Sequence, residues 1–417
     1  MVVMCSKFEH SPLLVIADDL TGALDTGVQF SKSGAKTKIL VLHDFYKTVF
    51  PLDFDVIVID TETRHLDSQK AYSVIKDLAV SAVKSGIRYF YKKTDSLLRG
   101  NIGAELSALM DGAGKEKLFF FPSFPQIGRT VRNGVLYIND IPVSDAEVAK
   151  DLFNPVPSSC VSTIIGLQTE KEVFVNKDNL SSSGIYVFDS ETEEEMQSKA
   201  QTIGKDNILL SAGCAGFAGV LCRILGFTDI KNYGCDDLDG NFLVISGTPN
   251  AVTLSQLDFA EKKGMVRILL PQEFKDREEV KDEKIKEFAT LVTDCLNEKG
   301  WVAVDVGKAE TSLTHEKEIS SLEIKRRIIS KNIGRLAKCI FDNNIDSTTL
   351  LVGGDILFAA LNAMNIEVII PECEIQPGVV LMEMEYRNKK YKVATKSGGF
   401  GNENLISNLY KRTKESV

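Results

Sequence analysis

The chain is short of several things, and each shortage excludes something. It has one tryptophan, four histidines and no basic excess, the formal net charge being −9. Nucleic acid and anionic membrane both favour basic surface, so neither is expected as a partner. No apolar run approaches the roughly 18–20 residues of a membrane span. The opening stretch MVVMCSKFEHSPLLVIADD lacks the basic segment and cleavage pattern of a secretory leader. The eight cysteines are scattered, with no CxxC pair, zinc spacing or disulfide framework. Free thiols in a reducing compartment are therefore expected, and a cytoplasmic location with them. There is no Walker A loop, and no GxGxxG follows the first apolar run, which disfavours a Rossmann-type oxidoreductase.

What is present is length and alternation. At 417 residues the chain exceeds the roughly 250–300 of a single core, so two domains are expected. Apolar runs at Leu13–Ile16, Lys38–Leu42, Val56–Ile59, Arg88–Tyr91, Leu118–Phe121, Ser162–Ile165, Gly184–Val187 and Ile208–Leu210 read as strands. Between them lie helical patterns such as Ala71, Val74, Ile75, Leu78 and Ala82. Gly134–Val143 reads as a hairpin or extended arm. The turn-rich segment Lys231–Asn241 marks a boundary, giving domains 1–235 and 236–417. After it, strands at Phe242–Ile245, Val266–Leu270, Trp301–Val304, Thr349–Val352, Val379–Met384 and Lys390–Thr395 alternate with helices at about 252–263, 278–297 and 322–343. The fold class expected is α/β: two domains, each a mostly parallel sheet flanked by helices, with the active site in the cleft between them. In such folds ligands bind beyond the carboxyl ends of strands.

Five segments carry chemistry. In LVIADDLTGALDTG, Asp18 and Asp19 leave a strand and enter a helix. They could accept a hydroxyl proton, bind hydroxyls or help hold Mg²⁺, or merely cap the helix. The adjacent carboxylates do not fit a haloacid-dehalogenase-type phosphatase, which needs one residue between them. In IDTETRHL, Arg64 could clamp a carboxylate or pair on the surface with Glu62 or Asp67. In YFYKKTDSLLRGNIGAEL, Lys93, Asp95, Ser96 and Arg99 crowd one short loop, which suits a polyhydroxylated anion. In FFFPSFPQIGRT, Arg129 either touches an anion or anchors its loop. The second half has three small-residue turns: Ser246-Gly247-Thr248-Pro249-Asn250, Gly353-Gly354-Asp355, and Lys396-Ser397-Gly398-Gly399-Phe400-Gly401. Backbone N–H groups in such turns cradle phosphates, and three in one domain point to a nucleotide.

The combination IADDLTGA, KKTDSLLRGNIGAEL, FPSFPQIGRT, VGGD and KSGGFG, in that order along nearly the whole chain, resembles the four-carbon acid sugar kinases. The resemblance implies an N-terminal domain for the sugar acid and a C-terminal domain for ATP. Its implied substrates are threonate, erythronate or oxo-tetronate, and its implied cofactors are ATP and Mg²⁺, with no metal ligand named. On the substrate side it implies Asp18, Asp19, Arg64, Lys93, Asp95, Ser96 and Arg99, with Asp19 or Asp95 as base. On the ATP side it implies Ser246, Gly247, Thr248, Gly353, Gly354, Asp355, Ile356, Gly398, Gly399 and Gly401. The chain departs from the family pattern in three places. Ile356 replaces a threonine, Thr248-Pro249-Asn250 replaces Ser-Cys-Ser, and Leu97 replaces a threonine. Ile356 leaves open a non-catalytic sugar-acid sensor on the same scaffold. A homo-oligomer is compatible with the sequence.

Overall fold

A computed structural model describes residues 11–41, 50–146, 155–227, 235, 238, 240–308 and 316–415, the side chains of 316–322 and 415 excepted. The chain divides into two compact units, Met1–Lys231 and Asn232–Val417. Most of the boundary segment 231–241 lies outside the described residues.

In chain order, the N-terminal unit runs β1 (Leu13–Ala17), α1 (Leu20–Lys32), β2 (Thr37–Val41), β3 (Val56–Asp60), α2 (Ser68–Lys84), β4 (Tyr89–Lys93), α3 (Ile102–Ala113) and β5 (Lys117–Phe121). It continues with β6 (Arg129–Arg132), β7 (Val135–Ile138), β8 (Ile141–Pro142), α4 (Val161–Gly166), β9 (Val173–Val175), β10 (Gly184–Val187), α5 (Glu193–Ile203), α6 (Lys205–Ile208), β11 (Leu210–Gly213) and α7 (Ala215–Leu225). Its main sheet is parallel throughout, in the order β2-β3-β1-β4-β11-β5-β10-β9. All five residues of β1 and of β3 are buried, as continuous apolar runs in a doubly covered sheet should be. Strands β6, β7 and β8 form a small separate antiparallel sheet, so the expected arm at 134–143 is a hairpin.

The strand expected at Ile208–Leu210 is displaced, Ile208 ending α6 and β11 beginning at Leu210, and one strand expectation fails. Ser162–Ile165 lies in helix α4, with Val161, Ile164 and Ile165 buried. β-branched residues suggested a strand, but positions 161, 164 and 165 share a helix face, and packing on the core decides the outcome.

The C-terminal unit runs β12 (Asn241–Ser246), α8 (Ala251–Lys262), β13 (Val266–Leu269), α9 (Gln272–Asp276), α10 (Asp282–Lys299), β14 (Trp301–Asp305), α11 (Glu316–Asp342), β15 (Ser347–Val352), α12 (Gly354–Ala363), β16 (Val368–Gln376), β17 (Val379–Tyr386), β18 (Lys389–Lys396) and α13 (Leu405–Glu415). Strands β13-β14-β12-β15-β18 are parallel neighbours, and β17 and β16 continue the sheet antiparallel. The β17–β18 turn is Arg387-Asn388, both at positive φ, as a tight two-residue hairpin requires.

The expectation of free thiols is corrected at one pair. Cys235 and Cys373 form a disulfide with Cα atoms 6.1 Å apart. They are 138 residues apart in sequence, so no local spacing announces the bond.

Among the described strands, each unit has a place where strand order reverses. In the N-terminal unit it lies between β1 and β4, and in the C-terminal unit between β12 and β15. Crevices at such points, beyond the carboxyl ends of the strands, are where open α/β sheets bind ligands.

Candidate active site

The carboxyl ends of β3, β1 and β4 stand in register: Ala17 pairs with Asp60 on one side and Lys93 on the other. The loops leaving these strands bring together Asp18, Asp19, Arg64 and Asp95. Arg64 is the hub. Its Nε and Nη2 donate to the two oxygens of Asp18, at 2.7 and 3.1 Å, and Nη1 donates to Asp19 at 2.7 Å. Its Nη2 also lies 3.7 Å from Asp95. Arg99 holds Asp95 from the other side with two bonds of 2.8 and 2.9 Å. Arg64 and Arg99 thus clamp carboxylates as their residue type suggests, but the carboxylates are the protein's own. The structure does not pair Arg64 with Glu62 or Asp67.

The three aspartates differ in what remains free. Asp95 accepts from Arg99 and from the Leu97 and Arg99 backbone N–H groups. Burial raises its pKa, but Arg64 and Arg99 outweigh burial and hold it well below the usual carboxylate range. Asp18 is buried; burial opposes its charge, and Arg64 with Lys92 still holds its pKa low. Asp19 caps α1 through a bond from Gly22 N–H at 2.9 Å, and its side chain is 22% exposed against 2% for Asp18 and 9% for Asp95. Capping and chemistry are therefore compatible: one Asp19 oxygen caps while the other faces Arg64. A Cβ on Gly22 would stand 2.6 Å from both Asp19 Oδ1 and Lys93 Nζ, so only glycine allows the two to approach.

Lys93 donates to Thr94 O at 2.8 Å. Ser96 is half-buried beside this set. Leu97 is 6% exposed and belongs to the apolar core, so its replacement of threonine is a packing change. Gly100, at φ +85°, lies against Arg64, where a Cβ would meet Arg64 Cγ at 3.0 Å. Asn101 then ties the loops together, donating to Thr63 O and Leu66 O at 3.0 and 2.9 Å.

Sequence reasoning missed two groups, Lys92 and Asp60, and left the role of a third, Arg129, open. Lys92, fully buried, donates to Ile16 O and Lys93 O and pairs with Glu105 at 2.8 Å; it fastens the ends of β1 and β4 from below. Asp60 is 1% exposed, and its Oδ2 has no hydrogen-bond partner. Burial, then the charges of Glu62 and Asp19, raise its pKa well above the usual value. Arg129 is half-buried, with Nε lacking a partner and Nη1 on Ile127 O. It feels the charges of Asp95 and Arg99. Lys92 and Asp60 end strands that were recognised, and strand-end position was the signal that could have flagged them.

In the C-terminal unit, Ser246, Val352 and Lys396 end three adjacent strands in register. The three small-residue turns leave from these residues and interlock. Gly353 N–H donates to Lys396 O at 2.9 Å. Thr253 of α8 donates to Gly398 O, and Gln256 to Phe400 O and Asn402 O. Thr248 accepts from Asn250 N–H, and Asn250 caps α8, so the departure at Thr248-Pro249-Asn250 builds a capped helix start. Gly353, at φ +106°, occupies the cap of α12. A Cβ on Gly398 would meet Thr248 Oγ1 at 3.0 Å, and one on Gly401 would meet Leu405 Cδ1 at 2.2 Å; Gly399 faces Asn250. Gly354 starts α12, and Asp355 pairs with Arg326. Ile356 is 3% exposed and packs on Gly247, where a Cβ would stand 2.2 Å from its Cδ1. Its side chain serves the core, and its backbone N–H donates to Gly353 O at 3.1 Å.

Comparison with known proteins follows the same division. Residues 13–221 match the family model of the sugar-binding N-terminal domain, and residues 243–406 that of the nucleotide-binding C-terminal domain. This chain belongs to the four-carbon acid sugar kinase family. It is 27% identical to a D-threonate kinase of Salmonella typhimurium over 94% of this chain and 96% of the relative. It is 34% identical to a D-erythronate kinase of Heliobacterium modesticaldum over 39% and 37% of the two chains. It is 21% identical to a 3-oxo-tetronate kinase of Methylobacterium radiotolerans over 93% and 95%. A solved structure from Salmonella typhimurium LT2 shares the fold at TM-score 0.78 and 20% identity, covering 97% of this chain and 98% of its own. Among the described residues no helix is long and apolar enough to cross a membrane.

Proposed function

We propose that this member of the family transfers the γ-phosphoryl group of ATP to a hydroxyl of a four-carbon sugar acid of the threonate, erythronate or oxo-tetronate type, in the cytoplasm. The observation that carries the reading is the pair of switch-point sites: a web of charged side chains in one unit and interlocked glycine turns in the other. The first suits a small hydroxy acid, the second a polyphosphate.

Asp19 is the base in this reading, because its side chain is the most exposed of the three aspartates. It accepts the proton of the attacking hydroxyl as the P–O bond forms. Asp95, held by Arg99 and kept ionised, is a positioning residue. Asp18 orients Arg64. Arg64 has five N–H donors, of which the three bonds to Asp18 and Asp19 use three, so it can add a contact to the substrate. Arg129 and Lys93, neither paired with a carboxylate among the described residues, bind the substrate carboxylate, with Ser96 and Arg99 at the rim. Ser246, Gly247, Thr248, Gly353, Gly354, Asp355, Gly398, Gly399 and Gly401 cradle ATP, with Ile356 supporting the turns from the core.

No group of three metal-ligating side chains occurs among the described residues. Mg²⁺ commonly keeps its waters and binds through phosphates and one or two carboxylates, and Asp355 is the carboxylate at the turns. Bound there, Mg²⁺ would offset phosphate charge.

The test is ADP release from ATP with D-threonate, D-erythronate and 3-oxo-tetronate, followed by phosphorus NMR of the product. Acid-dependent ADP and a new phosphomonoester are expected. No acid-dependent turnover, with nucleotide binding intact, would leave the sensor reading in its place.

A further inference from the structure

We propose that Lys396 is a phosphate-binding residue of the C-terminal unit, its buried ammonium supplying the positive charge that the surrounding backbone turns lack. The proposal rests on the kinase reading above and deepens it by naming the cation that meets the polyphosphate.

Lys396 is 1% exposed, and lysines are almost never buried so fully unless paired. Here no carboxylate faces it among the described residues. Its Nζ donates to Thr253 Oγ1 at 3.1 Å and to Gly398 O at 3.4 Å, both neutral acceptors and both on the elements that interlock the turns. Burial alone acts on the group and pulls its pKa down to about 8. A protein gains no stability from such an ammonium, so an anionic ligand is the natural counterpart.

Position supplies the second argument. Lys396 is the last residue of β18, in register with Val352, which is in register with Ser246. Side chains of in-register neighbours project from one face of a sheet, so Ser246 and Lys396 flank Val352 on the same side. The Ser246 Oγ is buried and has no hydrogen-bond partner. An orphan hydroxyl and an ammonium with no carboxylate partner therefore stand on the strand ends either side of Val352, beneath turns whose glycines leave no side chain in the way. The 3.4 Å bond to Gly398 O is the weaker of the two that Lys396 makes, and a phosphate oxygen would replace it at small cost.

Calorimetric titration of the full chain with ATP and with adenosine tests this. Lys396→Met is expected to weaken ATP binding about 10- to 100-fold, the range of one charge-assisted bond, while adenosine binds as before and Lys396→Arg recovers part of the loss. Equal ATP affinity in wild type and Lys396→Met would overturn the proposal, and so would a parallel loss of adenosine, which would mark a structural role. Should Lys396→Met fail to melt cooperatively, Lys396→Gln is read in the same way. Failure of the kinase reading looks different: the wild type itself then binds no ATP, and both proposals fall.

Discussion

The two units place their candidate sites at equivalent points of similar sheets, yet build them from different materials. In the N-terminal unit the ends of β1, β3 and β4 carry charged side chains that satisfy one another, Arg64 joining Asp18 and Asp19, and Arg99 holding Asp95. In the C-terminal unit the ends of β12, β15 and β18 carry interlocked glycine turns, beside which the Ser246 hydroxyl has no partner and the Lys396 ammonium meets only neutral acceptors. The difference follows the ligands. A small hydroxy acid must be recognised by directed contacts from pre-ordered groups, whereas a polyphosphate needs close approach of backbone N–H groups and a cation.

Four experiments sharpen or break that contrast. Asp19→Asn has the largest expected effect, because asparagine caps a helix as well as aspartate does but cannot accept the proton. A fall in kcat of about 10²–10⁴-fold with an unchanged melting temperature is expected from steady-state kinetics; an unchanged kcat would show that Asp19 is only a cap. Arg129→Met comes next. It should raise KM for the acid about 10-fold or more while leaving ATP affinity alone, as titration with each ligand will show.

The last two concern stability. The folded state raises the pKa of Asp60, so between the unfolded value of 3.8 and its raised native value the unfolded chain releases the proton first. The wild type therefore loses stability as pH rises through that window. Asp60→Asn removes this loss. Its stability relative to wild type, by urea titration, should grow from pH 4 towards neutrality by about 1–3 kcal/mol, and a pH-independent difference would contradict the assignment. Gly247→Ala forces a methyl group onto Ile356 and should cost about 1–3 kcal/mol. Adding Ile356→Val should recover part of that cost, and failure to do so would mean that Gly247 is not held by this contact.

The sequence disclosed the two sites unequally. Charged residues at strand ends are conspicuous by type, so Asp18, Asp19, Arg64, Lys93, Asp95, Ser96 and Arg99 could be named from their loops alone. Their pairing could not, because Asp18 meets Arg64 only when β1 and β3 lie side by side, 46 residues apart in sequence. Arg64 and Arg99 were consequently expected to hold a ligand when they first hold aspartates, while Arg129 lay open between two roles. The glycine turns were visible as composition, and their interlocking through Thr253 and Gln256 was not. Ile356 is instructive: read as a missing hydroxyl, it is a core residue that explains why position 247 is glycine. Among the elements, helix α4 hid behind β-branched residues, and strand β16 behind alternating charge in Val368–Gln376, where buried and partly exposed positions alternate. The Cys235–Cys373 bond depends on tertiary proximity alone.

The division of labour between the units is tested most directly by titrating Asp19→Asn and Lys396→Met, beside wild type, with D-threonate, D-erythronate and 3-oxo-tetronate and then with ATP. The account predicts that wild type binds ATP and at least one of the acids, that Asp19→Asn alters only acid binding or turnover, and that Lys396→Met weakens only ATP. Loss of both ligands in either variant, or acid binding that depends on Lys396 and not on the Asp19 cluster, would contradict it.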